Sequence, residues 1–112
     1  MTVQALSQAL SLQVFHLAEP EREVTGGYCG DLLSWVMGRA PGDCAWLTIM
    51  SNGNVAAVAS LADVACVILA EGVRPEEDLL NKARGHGVNV LGYEGGVYQL
   101  SAALADALRG SV

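Results

Sequence analysis

The sequence predicts an α/β fold: a layered single-domain sandwich on a mainly parallel sheet. Two charge-free runs, Ala45 to Met50 and Ala65 to Ala70, are rich in Ile, Val, Leu and Trp. Strands buried on both faces read this way, because neither face needs polar side chains. Between them, Asn54 to Ala62 is Ala-rich and places Val55, Val58 and Leu61 at helical spacing. Strand, helix and strand over about 30 residues make a βαβ unit with a right-handed crossover.

Composition narrows the class. A chain of 112 residues is one domain, long enough to hold a core without disulfide or metal staples. Its hydrophobic share of 52% and mean hydropathy of +0.35 are high for a small soluble domain. Either the sheet is covered on both faces, or a second copy covers some of the apolar surface; a homodimer is expected. The net charge is −6, and the Lys and Arg residues are scattered singly. Nucleic acid and anionic membrane are therefore not expected partners, since phosphate binding needs clustered cations. No apolar run approaches the ~20 residues that span a bilayer. The start, Met-Thr-Val-Gln-Ala-Leu-Ser-Gln, lacks a basic segment followed by an apolar one, so cytoplasm is the expected location. Cys29, Cys44 and Cys66 are widely spaced and are expected as free, mostly buried thiols rather than a disulfide scaffold or zinc site. His16 and His86 have no partner at ligand spacing, so neither metal nor cofactor is expected.

From the amino end, Thr2 is a plausible cap for a helix over residues 3 to 10, with Val3, Leu6 and Leu10 on one face. Leu12 to Phe15 suits a short strand, and His16 to Arg22, with Pro20, a solvent loop. Thr25-Gly26-Gly27 reads first as a tight turn. An anion-binding nest stays open, because consecutive glycines can aim their N–H groups at one point. Asp31 is placed to cap a short helix through Leu32 or Leu33, Ser34, Val36 and Met37. Gly38 to Gly42 leads into the first core strand.

Ser51-Asn52-Gly53-Asn54, with Thr48 just before, forms the strand-to-helix turn. Such a turn leaves N–H groups unpaired at the helix start, where a phosphate or carboxylate can bind; ordinary capping is the competing reading. In the following helix Ser60 is the one polar side chain between Asn54 and Asp63. A helix so apolar is buried on more than one side, beneath another helix or against a partner's copy, and Val55, Val58, Ala59 and Leu61 are the expected dimer contacts. After Glu71-Gly72, Pro75 and the acids Glu76, Glu77 and Asp78 open another helix, where the dipole favours negative charge. Val88 to Leu91 is a further buried strand, and Tyr93-Glu94-Gly95-Gly96 a second strand-to-helix turn. The last helix carries a stripe of Val97, Leu100, Leu104, Ala107 and Leu108.

Catalytic signatures are missing. There is no G-x-x-x-x-G-K-[ST], since the sole Lys is Lys82 within a helix, and no G-x-G-x-x-G or G-x-S-x-G. No catalytic residue is assigned.

Several short motifs, in order, resemble the DRTGG domain family over nearly the whole chain. They are Thr25-Gly26-Gly27, Gly30-Asp31-Leu32-Leu33-Ser34, Thr48-Ile49, Asn54-Val55-Ala56-Ala57-Val58-Ala59 and Ile68-Leu69-Ala70-Glu71-Gly72. Glu23-Val24 stand where that family has its Asp-Arg pair. The resemblance implies the α/β fold of the similar N-terminal domain of HPr kinase/phosphorylase. It also implies a single regulatory or scaffolding module, of the kind found in phosphotransacetylases and beside nucleotide-sensing CBS domains, rather than an independent enzyme. The expected partners are a second copy and an enzyme that the module regulates. The alternative is a small-ligand sensor for a nucleotide or other anion. Its donors would be Thr25, Gly26, Gly27, Asp31, Ser34, Thr48, Ser51, Asn52 and Asn54.

Overall fold

The computed structural model describes residues 1–110. Among them the elements run α1 (Val3–Ala9), β1 (Gln13–His16), β2 (Gly26–Cys29), α2 (Leu33–Arg39) and β3 (Cys44–Thr48). Then come α3 (Asn54–Ala62), β4 (Cys66–Leu69), α4 (Glu77–His86), β5 (Val90–Gly92) and α5 (Val97–Gly110). The five strands form one sheet in the order β1-β5-β4-β3-β2. β2 to β5 are mutually parallel, and β1 joins β5 antiparallel. The α/β fold with a mainly parallel sheet is thus the architecture of the chain.

The two charge-free runs lie side by side, with Ala45 opposite Cys66 and Thr48 opposite Leu69. Their lack of charge has a geometric cause. Side chains alternate across a strand, so Cys44 and Trp46 enter one core while Ala45 and Leu47 enter the other. The first core is roofed by α2, α3 and α4, and the second by α1 and α5. Three successive right-handed crossovers put α2, α3 and α4 on the same face. α3 lies between its neighbours, packed against α2 on one side and α4 on the other. That explains its apolar composition: Val55, Ala56, Val58 and Ala59 are buried within the chain itself.

Three expectations change. Gly26-Gly27 is no turn; it opens β2, pairing with Cys44 and Ala45 of β3. The glycine is needed because α5 lies against the strand there: a Cβ on Gly27 would stand 2.7 Å from Leu104 Cδ2. Asp31 does not cap α2, which begins after Leu32 with no side-chain cap. Its carboxylate instead accepts hydrogen bonds from Thr48 Oγ1 at 2.7 Å and the Ile49 N–H at 3.0 Å. Finally, Val36 and Leu33 form the inner face of α2, whereas Leu32 and Met37 are exposed. Thr2 does cap α1, accepting from the Ala5 N–H at 3.0 Å.

Candidate functional site

The carboxyl ends of the parallel strands are where open α/β sheets bind ligands, in a crevice at a point where the strand order reverses. Here β2, β3, β4 and β5 follow one another in a single direction, so the four parallel strands contain no reversal. What lies at that edge is a row of loops rich in acids.

The α3 start carries most of the residues singled out from sequence. The Asn52 side chain accepts from the Asn54 N–H at 2.9 Å, and Ser51 Oγ donates to Glu76 at 3.1 Å. The Glu76 N–H in turn donates to the Ser51 carbonyl at 3.0 Å. Gly53 is buried beneath α4, and a Cβ there would collide with the Asp78 carboxylate and the Lys82 stem. The dipole of α3 thus faces Glu76 and Asp78, acids of its own chain. The α5 start is arranged alike: Glu71 accepts from the Val97 N–H at 3.1 Å. At α5 a carboxylate thus holds a helix N–H where a ligand anion would sit, while at α3 the Asn52 side chain holds one, with Glu76 bound to the neighbouring Ser51 hydroxyl.

The residues proposed as ligand donors from sequence divide between two ends of the sheet. Asp31, Thr48, Ser51, Asn52 and Asn54 surround the carboxyl ends of β2 and β3, and Ser34 lies exposed in the first turn of α2 nearby. Thr25 and Gly26 are at the amino end of β2, where the Thr25 N–H donates to the Asp43 carbonyl at 3.0 Å. Tyr28, Cys29 and Gly30 lie between Gly27 and Asp31, so about 13 Å of extended chain separates the two groups. Among the expected dimer contacts, Val55, Val58 and Ala59 are spent inside the chain, while Leu61 is 72% exposed.

A hollow of about 200 Å³ opens beside β2, lined by Gly27, Cys29, Leu47, Ser101, Leu104 and Ala105 among others. Its polar groups are the Cys29 thiol and the Ser101 hydroxyl, 3.2 Å apart, with Ser101 Oγ also donating to the Val97 carbonyl. Cys29 is exposed, whereas Cys44 and Cys66 are buried. Burial pushes the Cys44 thiol up to about 11 and the Cys66 thiol to about 12, so both stay neutral and inert. No group of three potential metal ligands occurs among the described residues. No helix among them is long and apolar enough to cross a membrane.

Two polar residues escaped the sequence reading. Asn89 is buried, and its amide is fully used: Oδ1 accepts from the Ala18 and Glu19 N–H groups, and Nδ2 donates to the Glu19 and Ala65 carbonyls. An Asn inside a buried strand run is the signal for such a bracket. Arg22 reaches Asp43 at 2.9 Å, Asp63 Oδ1 at 2.8 Å and the Asp63 carbonyl at 2.7 Å. Burial pulls its pKa down, but the hydrogen bonds and charges of the two aspartates outweigh that, and the net shift is upward.

No protein-family model matches the sequence, and no curated protein matches it. Among solved structures, a similar chain is the CBS and DRTGG region of the regulatory part of Clostridium perfringens pyrophosphatase, solved with its activator diadenosine tetraphosphate. The two share a TM-score of 0.72 at 11% identity, over 91% of this chain and 45% of that one. This chain therefore spans under half of that region's length. At such identity the likeness is one of fold, and it supports a DRTGG-like fold for this chain.

Proposed function

We propose that this chain is a single DRTGG-like domain with a regulatory or scaffolding role, that it has no catalysis of its own, and that it works as a homodimer in the cytoplasm on a partner enzyme. The observation that carries the reading is the shared fold with a region that regulates a pyrophosphatase. The occupied helix starts favour association over anion capture: Glu71 holds the Val97 N–H, Asn52 holds the Asn54 N–H, and Glu76 and Asp78 add negative charge beside the latter.

One observation favours a second reading, a nucleotide sensor: the structural neighbour was solved with diadenosine tetraphosphate. Thr25, Gly26, Gly27, Asp31, Ser34, Thr48, Ser51, Asn52 and Asn54 are its candidate contacts. A thermal-shift panel of AMP, ATP, diadenosine tetraphosphate and acetyl phosphate separates the two. The regulatory scaffold predicts melting temperatures unchanged by all four at millimolar concentration. A saturable upward shift with any of them establishes the sensor instead.

A further inference from the structure

β2 is the last strand of the sheet, and among the described residues no strand lies beyond its outer side. The Gly30 N–H, at the end of β2, donates to the Leu47 carbonyl of β3 at 3.2 Å. By the alternation of an extended strand, the Tyr28 amide also points to β3, and the amides of Gly27 and Cys29 point the other way, to the open side. Open edges attract other strands unless they are covered or charged. This one is uncharged and flanked by apolar side chains on both faces. In front, Leu32, Trp35 and Arg39 form one stripe at i, i+3 and i+7, with Leu32 57% and Trp35 52% exposed. With right-handed crossovers and α3 on the other flank of α2, this stripe faces the edge. Behind, α5 packs on β2 and β3. Tyr98, 82% exposed, and the small residues Ser101 and Ala105 share the flank of α5 nearest the same edge. Ile49, where Asp31 binds the main chain, adds a further exposed apolar group beside Leu32.

We propose that a second copy of this chain docks on the β2 edge, pairing β2 with β2 antiparallel about a two-fold axis so that the two sheets become one. The inference deepens the homodimer proposed above and rests on it. Three features select a copy of the chain over another occupant. First, the chain carries −6, yet the segment from Gly26 to Arg39 holds one acid and one base, Asp31 and Arg39, so this side does not repel itself. Second, a two-fold axis lays α2 antiparallel to the second α2. Arg39, at the end of one, then comes beside Asp31, before the start of the other, and the pair forms twice. Third, the spacing fits. Strands pair at about 4.8 Å, and a helix astride β2 and β3 sits about half that distance inside the edge. The two α5 axes then lie about 10 Å apart, the separation at which helices pack, and Ser101 and Ala105 leave room for that approach.

The test is sedimentation or light scattering of the full chain between about 1 and 100 μM, a range bracketing typical reversible self-association. The expected mass at the upper end is twice 11.7 kDa. Trp35→Glu and Tyr98→Glu should each weaken the dimer at least about tenfold, and Arg39→Asp should weaken it and reduce its dependence on salt. Leu61→Glu, on the exposed side of α3, should leave it unchanged. Amide exchange at Gly27 and Cys29 should slow as concentration rises. A monomer throughout the range overturns both this surface and the homodimer. A dimer that survives Trp35→Glu and Tyr98→Glu, or that Leu61→Glu breaks, overturns the surface and leaves the homodimer standing.

Discussion

Arg22 sits where three loops meet at the amino end of the sheet. Its guanidinium ties the segment before β2 to Asp43, which leads into β3, and to Asp63, which leads toward β4. Both aspartates have left-handed backbones, with φ of 64° and 57°, a conformation that costs an L-residue about 1 kcal/mol. The arginine offsets that cost and fixes where two central strands begin. Arg22→Ala should lower unfolding free energy by about 1–3 kcal/mol, read as a shift in urea midpoint at unchanged slope. A shift no larger than that of an exposed charge such as Arg84→Ala would mean that the clasp adds nothing. Residues of this kind were the least legible in the sequence. Arg22 lay in a stretch read as a solvent loop, Asp31 looked like a helix cap, and Asn89 was absorbed into an apolar run. The bonds described above reach residues at least 17 positions away, and no local pattern encodes a contact at that range.

Elements were legible where the pattern was periodic or monotonous. α3 was bounded as Asn54 to Ala62, because its apolar composition and flanking turn residues agree, and the structure gives the same limits. β2 was missed because two glycines are a turn signal, while the reason for them lies on another element. Leu104 of α5 presses on the strand and leaves space for a hydrogen only at Gly27. Gly27→Ala should therefore destabilise by about 1–3 kcal/mol, the range for inserting a methyl group into a packed contact. Adding Leu104→Ala should cost less in that background than in the wild type, because there it also relieves the clash. Strict additivity of the two in denaturant melts would show that the strand tolerates a side chain there.

At the scale of the whole molecule, the sequence carried the class: an α/β sandwich needs buried parallel strands, and their charge-free runs are visible without coordinates. It could not carry the strand order or the division of donor residues between two ends, which depend on how the crossovers stack. The paired central strands bear Cys44 and Cys66, opposite faces of the same layer. Both thiols keep their protons in the folded chain up to about 11 and about 12, against 9.0 for an unburied thiol. Below 9 neither state ionises, so pH has no leverage through them. Above 9 the unfolded chain loses these protons while the folded one holds them, so stability should fall steadily from about pH 9 toward 11. Melting temperatures across that range check it: Cys44→Ala with Cys66→Ala should flatten the slope. In the native protein a thiol reagent should titrate one group, Cys29, and in denaturant all three.

The carboxylates at the α3 and α5 starts belong to the same folded chain, held in place though 25 and 26 residues from the groups they bind. A tethered group of this sort acts at an effective concentration of millimolar order. A dissolved metabolite must first displace that resident acid and then endure the repulsion of the loops around it. These two positions are consequently deaf to ordinary swings in cellular phosphate, and any message the molecule relays has to arrive by another door.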